Sequence, residues 1–145
     1  MFRMIKYFVD LNSTFRQNNV SHMDLKPSNL LIKGRDSLKI IPIVNLKNLP
    51  GSSPPILKVA DFGLAHHLEE DKKERGLRGS PLYMAPEIFL SDLYDAKADL
   101  WSIGVILYEA VFGKAPFSSE TLEQLVAKIK EDVPVQIPNT RAIRS

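Results

Sequence analysis

With 145 residues, the chain is long enough for one domain with a hydrophobic core, and two independent domains are not expected. Its 19 lysines and arginines and 17 aspartates and glutamates leave a net charge of only +2, so the charge does not indicate a nucleic-acid-binding protein. The absence of cysteine excludes disulfides, thiolate catalysis and cysteine-ligated zinc.

The N-terminal part of the chain predicts a helix, a loop and a short strand. Apolar residues recur every three or four positions up to about Arg16, as they do on one side of a helix. These residues are Phe2, Ile5, Phe8, Leu11 and Phe15. Residues 20–29 mix charges with a proline and predict a loop, and the apolar run at residues 30–32 predicts a strand.

Residues 33–56 are the least regular stretch of the chain. Glycines and prolines interrupt the stretch and no period is sustained, so we predict a loop insertion there. Within it, residues 39–44 are apolar enough to pair as an edge strand. Residues 57–60 alternate as a strand does, and we expect them to form a hairpin with residues 30–32.

The C-terminal half predicts helices. After a mixed-charge loop at residues 69–78, residues 99–112 are apolar nearly all round and predict a buried helix that ends at Gly113. The longest apolar run, residues 103–107, is far shorter than the roughly 20 residues of a membrane-spanning helix, so we expect a cytoplasmic protein. Ser118 or Ser119 can cap a last helix that runs through Ile129. The fold class is therefore α+β, mainly α.

Four motifs follow one another in the chain. They are His22-Met23-Asp24-Leu25-Lys26-Pro27-Ser28-Asn29, Asp61-Phe62-Gly63, Ala85-Pro86-Glu87 and Asp99-Leu100-Trp101-Ser102-Ile103-Gly104. Phosphoryl transfer needs a group that orients the attacking hydroxyl, ligands for magnesium, and cations that offset the charge on the phosphates. The first motif contains all three kinds of group.

These residue types predict specific roles. Asp24 would accept the proton of the substrate hydroxyl, and Lys26 would neutralise the transferred phosphoryl group. Asn29 would hold Mg²⁺ through its amide oxygen, and Asp61 would supply a second contact to the metal across the β- and γ-phosphates. The candidate catalytic residues are therefore Asp24 and Lys26, and the candidate metal ligands are Asn29 and Asp61.

The ordered motifs resemble the large lobe of a eukaryotic-type serine/threonine protein kinase over residues 15–137. Lys26, within Asp-Leu-Lys-Pro, is typical of the serine/threonine form. Residues 21–24, 79–87 and 94–101 are most similar to the autophagy-initiating kinases. The resemblance implies ATP and Mg²⁺ as cofactors and protein serine or threonine hydroxyls as substrates, and it leaves room for regulatory protein partners.

The resemblance also implies contacts within the site. Lys26, Asn29, Leu31 and Asp61 would bind the nucleotide, with Leu31 in the floor beneath the adenine. Residues 82–84 would shape the pocket for the substrate residue that follows the phosphorylated one. Two further contacts are implied: Ser80 would hydrogen-bond Asp24 and Lys26, and Asp99 would brace the backbone of residues 22–24.

The chain departs from the family pattern in two respects. Met23 stands where the family has an arginine that pairs with a phosphate on the activation loop, and the only hydroxyls between Asp61 and Glu87 are those of Ser80 and Tyr83. The sequence therefore predicts a kinase that an ordinary loop phosphate does not switch, with the acidic run at residues 69–71 as the alternative source of negative charge in its place. The 145 residues also contain no glycine-rich phosphate loop, so we expect a partial protein kinase-like fold without the small lobe and the last helices.

Two hypotheses follow. In the first, the chain is part of an ATP- and Mg²⁺-dependent serine/threonine kinase and is inactive as this fragment. In the second, it is a non-catalytic kinase-like interaction module. The presence of Asp24, Lys26, Asn29 and Asp61 favours the first, because a scaffold has no physical need for a base and two metal-binding groups.

Overall fold

The computed structural model describes residues 2–33, 38–40, 56–67, 79–91, 95, 97–131 and 133–138. The helices of this part are α1 (Phe2–Gln17), α2 (Pro86–Leu90), α3 (Lys97–Phe112) and α4 (Leu122–Lys130), with 3-10 turns at Pro27–Asn29 and Pro81–Tyr83. The strands are β1 (Val20–Ser21), β2 (Leu30–Lys33), β3 (Leu38–Ile40), β4 (Ile56–Val59) and β5 (His66–His67). This mixture of helices and small sheets agrees with the predicted α+β class.

The strands after the first 3-10 turn form a three-stranded antiparallel sheet in the order β3-β2-β4. Leu30 pairs with Val59, so the predicted pairing of residues 30–32 with residues 57–60 is confirmed. These strands do not form a hairpin, because β3 lies between them in the chain and also pairs with β2, with Leu31 opposite Ile40. The loop predicted for residues 33–56 is wrong at both of its ends and at residues 38–40, which lie in strands. The edge strand expected within residues 39–44 is present at residues 39 and 40, because β3 lies at the edge of the sheet. The rest of the range lies outside the described residues.

A second, two-stranded sheet pairs the strand before the first motif with residues that follow Asp61-Phe62-Gly63. Val20 pairs with His67 and Ser21 with His66 in antiparallel register. The sequence predicted a loop for residues 20–29, and the structure differs at the first two of them. A two-residue strand has no alternation to detect, so only the tertiary pairing reveals it.

The main core lies between α1, α3 and β2. Its fully buried members are Phe8, Phe15, Leu25, Leu30, Ile103 and Ile106. The predicted N-terminal helix is confirmed as α1. Phe8 and Phe15 lie on the face of α1 that packs in this core, and Leu11 packs against them. Ile5 is exposed, so the predicted apolar face does not extend to it.

Helix α3 ends as the sequence predicts. Gly113 has a φ of 75°, a left-handed conformation that glycine adopts without strain, and its N–H donates to the Glu109 carbonyl at 2.8 Å. The expectation that α3 is buried all round is wrong on one side, where Leu100 is 52% exposed. That side borders a groove of about 450 Å³ that Trp101 and Phe117 also line.

Helix α4 is confirmed, but its cap is not one of the predicted serines. Thr121 is the N-cap, and its Oγ1 accepts the N–H of Gln124 at 3.3 Å. The Oγ of Ser119 instead donates to the Ser118 carbonyl. Helix α2, which begins at the proline of Ala85-Pro86-Glu87, has only five residues and was not predicted. Within the described ranges, no helix has the length and hydropathy needed to cross a membrane.

Candidate active site

Asp99 at the start of α3 holds the loop that contains the candidate catalytic carboxylate. Its side chain is 3% exposed and accepts three hydrogen bonds from that loop. The backbone N–H groups of His22 and Met23 donate at 2.7 and 2.9 Å, and the Ser21 hydroxyl donates at 2.9 Å. A buried carboxylate with three donors is well satisfied. The bracing contact that the resemblance implied is therefore present.

His22 joins the same loop to the strand that precedes Asp61. Its Nδ1 accepts the N–H of Asp24 at 3.3 Å, and its Nε2 lies 3.0 Å from the Ala60 carbonyl. These two contacts fit the tautomer that is protonated at Nε2. The buried ring also stacks on Phe15 and meets the edge of Phe62, with centroid distances of 6.1 and 4.9 Å.

Asp24, Lys26 and Ser80 form the polar centre of the site. The Lys26 Nζ lies 2.6 Å from Asp24 Oδ2 and 3.0 Å from Ser80 Oγ, and the Ser80 hydroxyl donates to Asp24 Oδ1 at 2.8 Å. The hydrogen bonds that the resemblance implied for Ser80 are thus observed, although 54 positions separate it from Lys26.

These contacts determine the charge of Asp24. Burial alone would raise the pKa of Asp24, but the hydrogen bonds from Lys26 and Ser80 and the positive charge of Lys26 outweigh it and hold the pKa below its usual value. Asp24 is therefore an ionised carboxylate at neutral pH, and each of its oxygens can accept a hydrogen bond. Such a group can orient an incoming hydroxyl.

Asn29 ends the first 3-10 turn and is oriented by Asp24. Its Nδ2 donates to the Asp24 carbonyl at 2.9 Å and lies 3.4 Å from Asp24 Oδ2. Because the amide nitrogen faces Asp24, the amide oxygen is directed away from it. That oxygen is the atom through which asparagine binds Mg²⁺.

The residue before Asp61 is bonded directly to Asn29: the Ala60 N–H donates to the Asn29 carbonyl at 2.9 Å. The structure therefore brings the ends of β2 and β4, and with them the two predicted metal ligands, to one place. The Asp61 side chain is exposed, its φ is 62°, and its Oδ1 lies 3.4 Å from the Gly63 N–H. Aspartate is one of the residues that tolerate this left-handed conformation.

The oxygen atoms of Asn29 and Asp61 are suitable ligands for a magnesium ion. Among the described residues, no three His, Cys, Asp or Glu side chains cluster as ligands that could hold a metal ion by themselves. Mg²⁺ is usually bound by one or two carboxylates together with the phosphates of a substrate, so the site does not need such a cluster. One carboxylate and one amide oxygen are the hard oxygen ligands that this ion prefers.

Leu31 lies at the centre of the three-stranded sheet, where it faces Ile40 on one side and Lys58 on the other. Its side chain is half-buried. A nucleotide-facing role for this residue remains a prediction.

Two contacts of Tyr83 near the site were not predicted from the sequence. The Tyr83 hydroxyl donates to Glu109 Oε2 at 2.8 Å, and burial together with this hydrogen bond raises the pKa of Tyr83 far above its usual value. The Ser102 hydroxyl donates to the Tyr83 carbonyl at 2.7 Å. Both contacts tie the second 3-10 turn to α3. Positions 26 apart carry no sequence signal that they pair.

Comparison with known proteins agrees with this geometry. A family model for the protein kinase domain matches residues 11–144. The serine/threonine-protein kinase ULK3 of Xenopus laevis is 46% identical over 122 residues, which cover 84% of this chain and 22% of that protein. Human ULK3 is 43% identical over 122 residues, with the same two coverages. The serine/threonine-protein kinase atg1 of Neosartorya fischeri is 42% identical over 127 residues, covering 80% of this chain and 13% of that protein. The chain thus spans about a fifth of the length of the ULK3 proteins.

Proposed function

Because this chain belongs to the protein kinase domain family, we propose that the whole protein transfers the γ-phosphate of ATP to serine and threonine hydroxyls of other proteins. The relatives are named as serine/threonine-protein kinases, which confirms the resemblance seen in the motifs. The observation that supports the proposal best is the contact of Asp24 with Lys26 and Ser80. Residues 15–137 correspond in this proposal to the large lobe of the kinase domain.

The proposal gives each side chain a role. The ionised Asp24 accepts a hydrogen bond from the substrate hydroxyl and takes its proton. Lys26, already 2.6 Å from Asp24, places a positive charge beside the group being transferred. The amide oxygen of Asn29 and the carboxylate of Asp61 hold Mg²⁺, and Leu31 contacts the adenine. Bound Mg²⁺ offsets the negative charge of the phosphate oxygens.

The proposal is tested with the purified whole protein, ATP, Mg²⁺ and a peptide that contains serine and threonine. Asp24→Asn keeps the shape of the side chain but removes its basicity, so the rate should fall by about 10²–10⁴-fold. Asp10→Asn, the same change at an exposed position of α1, should leave the rate unchanged. If neither wild type nor Asp24→Asn transfers phosphate above background, the enzyme reading is wrong and the interaction module takes its place. Equal, measurable transfer by both would instead show that Asp24 is not the base.

A second assay concerns the 145-residue chain alone. The chain contains no glycine-rich loop, so it can hold a nucleotide only from one side, and positioning supplies most of the acceleration of phosphoryl transfer. We therefore expect no Mg²⁺-dependent phosphorylation of a generic peptide by this chain. Turnover that Asp24→Asn abolishes would contradict this expectation.

The cellular part of the proposal is a cytoplasmic kinase that acts in the initiation of autophagy, as the resemblance to that family implies. It is tested by imaging a tagged copy of the whole protein and by counting autophagosomes in cells that express Asp24→Asn. Equal counts with wild type and variant in cells lacking the endogenous protein would argue against the autophagy role without affecting the assignment of the chemistry.

A further inference from the structure

Met23, the residue directly before Asp24, has its side chain in a second apolar cluster. It is 5% exposed, and the other buried members of the cluster are Met84, Ala85, Ile88 and Ala98. The first three lie within residues 84–88, shortly after Ser80, and Ala98 belongs to α3. The side chain next to the candidate base therefore packs directly on the segment that would bind the protein substrate.

The backbone of Met23 is fixed at the same point. Its φ is 66°, which is uncommon for a residue other than glycine, and its N–H donates to Asp99 Oδ1 at 2.9 Å. On the other side, Gly79 approaches so closely that a Cβ there would lie 2.4 Å from the Met23 carbonyl oxygen. Both the side chain and the carbonyl of Met23 are thus in contact with residues 79–88.

We propose that Met23 is a positioning residue, an apolar joint that holds residues 79–85 at a set distance from Asp24 by side-chain packing and without an ionic contact, while its sulfur lies 3.0 Å from the Ser21 hydroxyl. The proposal rests on the kinase activity proposed above and adds the way in which its substrate segment is kept in place. It implies that the site is assembled without a phosphate on the preceding segment.

The surroundings of Met23 favour packing over an ionic contact. The space left beside it, which Ser80 and Asp99 also line, is only about 10 Å³, so there is no room for a phosphate or a guanidinium group. The two hydroxyls between Asp61 and Glu87 are both engaged, Ser80 with Asp24 and Tyr83 with Glu109. A phosphate on either of them would break one of these contacts.

The test compares Met23→Ala with Met23→Leu in the whole protein. Truncation to alanine removes most of the buried side chain, so the KM for a protein substrate should rise by about tenfold or more, because misplacement by about 1 Å can cost as much as about 100-fold in activity. The KM for ATP should stay within about twofold, since none of the residues proposed to bind the nucleotide belongs to this segment. Leucine refills the cluster and should restore the wild-type KM.

A matched control separates positioning from general loss of stability. Phe8→Leu shortens a buried side chain in the main core, which does not include Met23. It should lower the melting temperature while leaving the KM for the protein substrate unchanged. If Met23→Ala behaves like Phe8→Leu, or raises both KM values equally, the joint is not a positioning device.

Amide hydrogen exchange tests the joint independently of activity. Met23→Ala should speed exchange at the N–H groups of Tyr83 and Met84, which donate to the carbonyls of Ser80 and Pro81, and Phe8→Leu should not. Unchanged exchange there would overturn the proposal even if the protein is a kinase. A protein that transfers no phosphate but shows the faster exchange would refute the proposed function and retain the joint.

Phosphatase treatment tests the regulatory consequence. The activity of the wild-type protein should be the same before and after treatment, with phosphosites mapped by mass spectrometry. A large loss of activity on dephosphorylation of residues 64–83 would show that a phosphate, and not Met23, sets the segment in place.

Discussion

The two halves of the candidate site differ in how firmly the chain holds them. In the loop of residues 21–29, Ser21, His22, Asp24 and Asn29 are buried and Asp99 fixes the backbone through two N–H groups. In the loop of residues 61–64, all four residues are exposed, and Phe62 is half exposed. The difference follows from partners: α3 holds the first loop, and no such partner holds the second among the described residues. The loop that contains Asp24 and Asn29 is held firmly within this chain, whereas the loop that contains Asp61 is held by the backbone hydrogen bond from Ala60 to Asn29 and by the ring of Phe62.

Removing Asp99 should have the largest effect on the free energy of unfolding. Asp99→Ala leaves the buried N–H groups of His22 and Met23 without an acceptor, which should lower the free energy of unfolding by about 3 kcal/mol or more. Asp95→Ala is the control: it removes one hydrogen bond, from the Lys97 N–H at the start of α3, and a 3.7 Å ion pair with Lys97, and it should cost about 1 kcal/mol. Urea denaturation measures both changes. Similar losses in the two variants would show that Asp99 does not brace the loop.

The pH dependence of stability should show the electrostatics of the buried half. The pKa of Asp24 is lower in the folded chain, so its charge contributes stability that is complete above the unfolded value of about 3.9 and is lost as the pH falls through the lower, folded value. The difference in stability between wild type and Asp24→Asn should therefore be constant near neutrality and change only below about pH 4. A difference that changes between pH 6 and 8, roughly two units above that window, would contradict this account.

Phe62 is the aromatic contact between the two halves, and its loss should have a smaller effect. Its ring meets His22 at 4.9 Å and Phe15 at 6.4 Å, both edge-on. Phe62→Ala should lower the free energy of unfolding by about 1 kcal/mol, the usual size for such ring contacts. Leu64→Ala, in the same exposed loop, should cost no more than about 0.5 kcal/mol. Equal costs would mean that the ring contacts add nothing.

Asp61 should show the smallest effect on stability and a large effect on activity. Asparagine adopts the left-handed conformation as readily as aspartate does, so Asp61→Asn removes the charge without adding backbone strain. The free energy of unfolding should change by less than about 0.5 kcal/mol. The kinase rate of the whole protein should fall by about 10²-fold or more, since a metal ligand is lost. A wild-type rate would show that the metal site is assigned wrongly.

The parts of the structure that the sequence predicts are those with a local pattern. The three- and four-residue spacing around Phe8 and Phe15 predicts α1, and the apolar and alternating runs predict the pairing of β2 with β4, although not that β3, which lies between them in the chain, also pairs with β2. The contacts of Ser80 and Asp99 were also expected, but through the resemblance, because positions 54 or more apart leave no local pattern.

The parts that the sequence misses depend on tertiary contacts. The resemblance marks Met23 as a departure from the family pattern, but the sequence does not show that its side chain is buried in a cluster with Met84 and Ile88. Leu100 is as apolar as its buried neighbours in α3, and only the arrangement of the other elements leaves it exposed. A strand of two residues, such as β1, is too short for a period.

The hydrogen bond from Ser80 to Asp24 has a consequence for substrate affinity. Asp24 Oδ1 accepts this bond at 2.8 Å and keeps a second lone pair, so in the proposed kinase a substrate hydroxyl that binds there would exchange a hydrogen bond to water for one to Asp24. An exchange of this kind contributes little net free energy, so the reacting hydroxyl itself should add almost nothing to binding. Affinity must then come from the residues around it. A substrate peptide with alanine in place of the reacting serine should therefore bind nearly as tightly as the substrate and act as a competitive inhibitor.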